Sequence, residues 1–224
     1  MFSMMEHEFY SQPSEALKQR KFVEYKTLYI DKFFPADKSV KILDLGCSYG
    51  LFLNTCKRCG YSNYEGIDLD NEAVGYASKE MDLKNIFQGD IFNFLDSRPH
   101  NTYDIITAFN ILEHIKKERV VDLLKLIFGK LKPGGRIFIE VPNGDSPIGI
   151  HTFYSDLTHE FAYTKSLMMR LLQISGFEDV KVMPNRVRSN LLIRLAQKIL
   201  AKVVGFDDKL MFSGNLIVIG RKKL

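Results

Sequence analysis

Cysteine is scarce: the 224 residues hold three, Cys47, Cys56 and Cys59. An odd count argues against a disulfide framework and fits a reducing, cytoplasmic setting. Cys56 and Cys59 form a C-x-x-C pair, but no second pair exists to complete a zinc site. Inside a predicted helix they read as small buried residues rather than a redox couple. No apolar run approaches the roughly 18 residues of a membrane span. Met1 to Tyr10 carries acids and lacks an apolar h-region, so a secretory signal is not expected there. There is no internal repeat and no low-complexity linker. The dinucleotide fingerprint G-x-G-x-x-G is absent, which argues against a nicotinamide enzyme.

What is present is an apolar fraction of 46%, enough for a full core. The net charge of +4 conceals a strong asymmetry. Lys181 to Leu224 holds ten basic and two acidic residues, leaving 21 basic and 25 acidic in the rest. Such an excess fits either a solvated basic face or an anionic partner.

Apolar runs alternate with helical patterns. Pro13 to Phe34 reads as a helix that Pro13 could start. Its aromatic stripe, Phe22, Tyr25, Tyr29 and Phe33, suits packing on a core, with a lid over substrate as the second reading. Strands are predicted at Val40 to Leu45, Tyr64 to Leu69, Asn85 to Gln88, Tyr103 to Phe109 and Arg136 to Val141. Helices are predicted at Leu51 to Cys59, at Glu72 to Glu80 with Asn71 as its cap, and at Lys117 to Leu131, closed by Lys132-Pro133-Gly134-Gly135. Pro142 to Tyr163 reads as a long polar and aromatic loop. A helix from Lys165 to Ser175 and strands at Phe177 to Met183 and Asn215 to Gly220 follow. This alternation calls for a doubly wound α/β fold with a mostly parallel seven-stranded sheet. A helical cap over 1–38 precedes the main domain, 39–224. An insertion over 184–214 carries a basic amphipathic helix at 188–204, with Leu191, Leu192, Leu195, Ile199 and Val203 on one side and Arg194, Gln197, Lys198 and Lys202 on the other.

Ligands bind such sheets at the carboxyl ends of the strands, where Asp44, Asp68, Asp90 and Asn110 fall. In Asp44-Leu45-Gly46-Cys47-Ser48-Tyr49-Gly50, the two glycines allow a sharp turn close to a ligand. Asp68 follows at the next strand end and can accept both hydroxyls of a ribose. Asp90, at the third, can meet an exocyclic amine. A turn, a ribose acceptor and a base contact fit an adenosine. The bland alternatives are that Asp44 caps a turn and Asp90 caps a helix.

Taken in order, Ile42 to Gly50, Gly66-Ile67-Asp68, Gly89-Asp90, Tyr103 to His114 and Leu131 to Gly135 resemble the motifs of class I S-adenosylmethionine-dependent methyltransferases, a Rossmann-like family. The resemblance spans about residues 40–142. It implies S-adenosylmethionine as cofactor, held by Asp44, Gly46, Cys47, Ser48, Gly50, Asp68, Leu69, Asp90, Ile91, Asn110 and His114. Ser48 stands where the family usually has a third glycine. The fourth-strand exit, Asn110-Ile111-Leu112-Glu113-His114, lacks the Pro-Pro motif of base and glutamine methylation, so no nucleic acid partner is expected. Glu113-His114 resembles a pair that shapes the cofactor pocket.

His151 to Glu160 crowds two histidines, Asp156, Tyr154 and Glu160 into ten residues. An oxygen acceptor needs a general base, and His159 or His151, oriented by Asp156, is the sharp reading. A divalent metal lacks a clean ligand spacing and is not expected; a hydrogen-bonded structural loop is the bland reading. This stretch is similar to a bacterial subgroup tied to surface-polysaccharide and nucleotide-sugar pathways. That similarity implies O-methylation of a sugar or related small-molecule hydroxyl, on a nucleotide or lipid carrier. The alternatives are a phenol, quinone precursor or amine acceptor, and a non-catalytic cofactor-binding regulatory protein. The basic helix would then meet an anionic membrane, a substrate diphosphate or a second copy in a homodimer.

Overall fold

A computed structural model describes residues 12–185, 191–205 and 212–224. The first eleven residues of the predicted cap, and 186–190 and 206–211 of the predicted insertion, lie outside the described residues. The chain divides into two compact units, Met1–Phe94 and Leu95–Leu224. The described strands form a seven-stranded sheet.

The first unit opens with helix α1 (Glu15–Tyr25), which a π-helical turn at Lys26–Ile30 and a last turn at Asp31–Phe33 prolong. Pro13 does not start it: the Ser14 hydroxyl accepts the Leu17 N–H at 3.3 Å and caps the first turn. The aromatic stripe packs as a core face against α2 (Leu51–Arg58). Tyr25 meets Phe52 edge-on at 5.4 Å, Tyr29 is fully buried, and the Arg58 guanidinium covers Phe22. Strand β1 (Ile42–Leu45) is buried along its length, as a central parallel strand must be. It pairs in parallel with β2 (Tyr64–Asp68), and β2 with β3 (Ile86–Gln88).

Helix α3 (Asn71–Lys79) connects them, but its cap is Asp70 rather than Asn71. The Asp70 carboxylate accepts from Glu72 N at 2.8 Å, because the extended backbone at Asp70 aims its side chain into the open turn. Helix α4 (Ile91–Ser97), not predicted, runs across the boundary between the units.

In the second unit, β4 (Tyr103–Phe109) pairs in parallel with β5 (Leu131–Pro142). Strand β5 starts five residues before its predicted Arg136, because Leu131 already pairs with Tyr103 and the glycine-rich turn lies within a register shift. Helix α5 (Val120–Lys130) buries Leu123, Leu124 and Ile127. The predicted loop after β5 contains helix α6 (Pro147–Tyr154). Ser146 caps it by accepting from Ile148 N at 3.2 Å, and Pro147 stands in its first turn, where a missing N–H costs nothing. Helix α7 (Lys165–Ile174) leads into β6 (Glu178–Pro184), and β7 (Asn215–Arg221) pairs antiparallel with both β5 and β6. Between them the basic helix is present as α8 (Leu191–Val204). It buries Ala201 and leaves Leu195, Ile199, Val203, Lys198 and Lys202 exposed.

Gly50 precedes α2 with φ of +75°, and a Cβ there would lie 2.5 Å from Leu83 Cδ1 and 3.0 Å from Ala77 Cβ. Gly50→Ala therefore adds left-handed strain to overpacking, together about 2–4 kcal/mol. Calorimetry should record a fall in Tm of roughly 5–15 °C. Gly75→Ala, in α3 with nothing within 4 Å of its Cβ, should leave Tm equal or slightly higher.

Candidate functional site

In the first unit the strand ends are joined by main-chain hydrogen bonds. After β1 the chain turns back over β2: Gly46 N and Cys47 N both donate to Ile67 O, at 2.8 and 3.0 Å. Ser48 N then donates to Asp68 Oδ2 at 2.7 Å. The turn requires left-handed backbone at Gly46 (φ +68°), Ser48 (+45°) and Gly50 (+75°). Glycine takes that conformation without strain, and Ser48 is held in it by the Asp68 carboxylate. Asp68 Oδ1 accepts from Asp70 N at 2.9 Å. Burial, the largest influence, raises the Asp68 carboxyl above its ordinary range against these hydrogen bonds.

Asp90 reaches the same rim by strand pairing. Asp68 stands beside Gln88 in register, and Gly89 N donates to Asp68 O at 2.8 Å. Asp90 also caps α4: Oδ1 accepts from Phe92 N and Asn93 N, at 3.1 and 3.0 Å. Leu69 is 67% exposed beside Asp68, while Ile91 is buried. Asp44 and Cys47 are buried under the turn, and the Cys47 thiol is pushed far up by burial and by the carboxylates of Asp44 and Asp68. Cys56 is buried and Cys59 half-buried, both as free thiols. Two half-buried carboxylates, an exposed apolar side chain and a left-handed turn match an adenosyl ligand in chemistry: acceptors for ribose hydroxyls and an amine, and a face for the ring.

The second unit holds the other predicted residues. Asn110 ends β4 in a left-handed conformation (φ +54°), and its amide oxygen accepts from Asn215 Nδ2 at 3.4 Å. Sequence reasoning missed Glu140, buried on β5, whose Oε1 accepts from Asn185 and Asn215, both at 2.8 Å. His151 lies exposed on α6, where its carbonyl accepts from the Ser155 hydroxyl at 2.7 Å. His159 and Asp156 stand together, with Nε2 and Oδ2 4.0 Å apart. The His159 Nδ1–H donates to Phe153 O at 2.7 Å, so the neutral ring carries its lone pair on Nε2. The Phe153 ring stacks on it at 5.2 Å.

Two further residues join this pair. The His114 ring lies 4.7 Å from that of His159. The Thr158 hydroxyl donates to Asp156 Oδ1 at 2.7 Å and so accepts from His114 Nδ1, 2.9 Å away. Burial raises the Asp156 carboxyl, but the Thr158 hydrogen bonds and the two imidazoles outweigh it, and the net shift is downward. Glu113 is 1% exposed, and neither carboxylate oxygen has a hydrogen-bond partner among the described residues. Burial above all, then the carboxylates of Glu140 and Asp156, pushes it up to about 8. Its backbone is fixed from both sides, since Glu160 N donates to Glu113 O at 2.7 Å and the Tyr163 hydroxyl to Leu112 O at 3.1 Å. The Glu113-His114 pair was legible in the sequence by resemblance; the isolation of the Glu113 carboxyl is a product of the fold.

A family profile described as "Methyltransferase domain" matches residues 17–182. The ubiquinone biosynthesis O-methyltransferase of Dictyostelium discoideum is 29% identical over 119 residues, 47% of this chain and 36% of that one. The ribosomal protein L11 methyltransferase of Burkholderia thailandensis is 31% identical over 120 residues, 52% of this chain and 37% of that one. The chain thus spans less than half the length of these curated relatives. The crystal structure of an S-adenosylmethionine-dependent methyltransferase from Archaeoglobus fulgidus is 25% identical, superposes with a TM-score of 0.75, and is matched over 99% of this chain and 100% of its own.

A carboxyl raised by burial adds stability that is complete below its unfolded value, near 4.5, and is lost as pH rises through about 8. In chelating buffer, which keeps stray cations off the carboxylate, stability should fall by on the order of 2–5 kcal/mol between pH 5 and pH 8. Glu113→Gln should flatten that slope in urea denaturation at the two pH values. An unchanged slope would mean that the acid does not titrate as a buried group.

Proposed function

The chain belongs to the class I S-adenosylmethionine-dependent methyltransferases, and from that membership we propose that it methylates a hydroxyl oxygen of a small molecule, best an aromatic one of the kind a quinone precursor carries. The reading is carried by the bond from Ser48 N to Asp68 Oδ2, which builds a cofactor turn and a ribose acceptor as one piece. Gly46, Ser48 and Gly50 shape the turn, Asp68 receives the ribose, and Asp90 and Leu69 face the adenine. When bound, the cofactor supplies a methyl on a sulfonium sulfur, ready for in-line displacement.

An oxygen acceptor must lose its proton as the carbon–oxygen bond forms. His159 suits the role of proton acceptor. Phe153 O fixes its tautomer, Nε2 presents a lone pair, and the Asp156 carboxylate stands 4.0 Å away. A phenolic hydroxyl, with a pKa of about 10, lies within reach of such a base, whereas an alkyl hydroxyl is harder to ionise. Exposed Tyr154 and Leu157 beside the His159 segment favour an apolar, planar acceptor. The ubiquinone-pathway relative points the same way. The sugar acceptor implied by the polysaccharide-linked resemblance has no comparable support from the relatives named above. Exposed Leu195, Ile199 and Val203 with Lys198 and Lys202 on α8 support an acceptor on a lipid or other anionic, apolar carrier.

Asp68→Ala should weaken S-adenosylmethionine binding in isothermal titration by about 10- to 1000-fold, as expected for charge-assisted hydrogen bonds to ribose. Equal affinity in that variant would end the ribose assignment. His159→Asn should keep cofactor affinity and lose about 10²- to 10⁴-fold in kcat with a phenolic acceptor. Full kcat in His159→Asn would exclude it as the base.

A further inference from the structure

We propose that Glu113, His114 and His159 form a binding site for one divalent cation of the zinc, cobalt or manganese class. One ligand atom from each of the three residues lies within 4.8 Å of the others. Ligands around a common ion at about 2.1 Å stand roughly 3–4 Å apart, so the set closes on an ion by side-chain movements of about 1 Å.

Three observations single out this cluster. First, the Glu113 side chain is buried with both oxygens unpartnered among the described residues. A buried carboxylate without a donor is costly unless a cation compensates it. Second, both histidines have Nδ1 committed, His159 to the Phe153 carbonyl at 2.7 Å and His114 to Thr158 Oγ1 at 2.9 Å. In the neutral rings Nε2 then holds the lone pair, the state that a metal ligand requires. Third, the partners at Nδ1 are those that orient metal-bound imidazoles: a main-chain carbonyl, and a hydroxyl backed by the Asp156 carboxylate at 2.7 Å. Two imidazoles and one carboxylate suit zinc, manganese, iron and cobalt better than magnesium or calcium, which prefer all-oxygen shells. Three protein ligands leave coordination positions open.

Spacing along the chain conceals the set: Glu113 and His114 are adjacent and His159 lies 45 residues on, whereas metal motifs usually place two ligands a turn apart. The inference rests on the reading of this cluster as the acceptor's side of the reaction and changes one role in it. With the cation in place His159 is a ligand rather than the proton acceptor. The acceptor hydroxyl binds the ion, which lowers its pKa, and its proton passes to water. The oxygen lone pair then forms the new bond to the methyl carbon while the carbon–sulfur pair returns to sulfur, leaving a neutral thioether.

The test uses the full chain, stripped with a chelator and titrated with Co²⁺ and Zn²⁺. One equivalent of Co²⁺ should bind and give visible ligand-field absorption, and Zn²⁺ should displace it. Glu113→Gln and His159→Asn should each weaken Co²⁺ binding at least tenfold while keeping the wild-type far-UV circular dichroism and a single cooperative unfolding transition, which serve as the folding control. Absence of binding at millimolar Co²⁺, or binding that survives both substitutions, overturns the site. The acceptor reading is judged separately. Metal binding without turnover of any phenolic or sugar hydroxyl would remove that reading and leave the cation site. Turnover that persists undiminished in excess chelator, with no Co²⁺ bound, would overturn the site and leave His159 as the base.

Discussion

A single hydrogen bond, from Ser48 N to Asp68 Oδ2, organises the strand ends of the first unit. It ties the turn after one strand to the acid that ends the next. Without it the left-handed residue at position 48 would have no local compensation, and the carboxylate would lose its orientation. Because the acceptor is charged and largely shielded from water, the bond is stronger than a neutral one on the surface. The same carboxylate must still have capacity for a ligand. It does, because two oxygens offer about four lone-pair sites, more than the main-chain N–H groups of Ser48, Asp70 and Leu69 occupy. The parallel pairing of β2 with β3 then brings Asp90 to the same rim, where its Oδ1 caps α4.

The second unit uses the opposite device. There the key group is a carboxylate left unsatisfied by the described residues around it. The main chain of the Glu113 segment is held by Glu160 N on the Glu113 carbonyl and by the Tyr163 hydroxyl on the Leu112 carbonyl. The neighbouring imidazoles are oriented at Nδ1 by groups that have no other obvious purpose. Thr158 links His114 to Asp156, and Phe153 grips His159 both by its carbonyl and by its ring. A packed core would replace such groups by apolar side chains at a gain in stability. Their retention fits a chemical role, and their orientation fits coordination or proton acceptance at Nε2.

Much of the fold was legible in the sequence, and for local reasons. β4 is a seven-residue, largely apolar run, and its predicted bounds match the observed strand. Gly46 after β1, Asp68 at the end of β2 and Gly89-Asp90 after β3 mark strand ends because tight turns occur there. The misreadings were local too. Asn71 and Asp70 are both good caps, and only the backbone angle at Asp70 decides between them. Helix α6 was hidden inside a stretch of histidine, aromatic and polar residues, although Ser146-Pro147 is a helix start that its composition obscured.

The sequence by itself determined the alternation of strands and helices, the left-handed turn at Gly46 to Gly50, and the acids at the strand ends. These follow from hydrophobic period, glycine's conformational freedom and spacing, all of which act within a few residues. Only the tertiary structure decided which histidine meets Asp156, and that Glu113 is buried without a donor among the described residues. His151 and His159 are equivalent candidates in the chain, yet α6 turns one to solvent while Phe153 and Thr158 draw the other toward His114. Burial and the absence of a donor depend on what the rest of the chain does not bring near, and spacing along the sequence carries no such information.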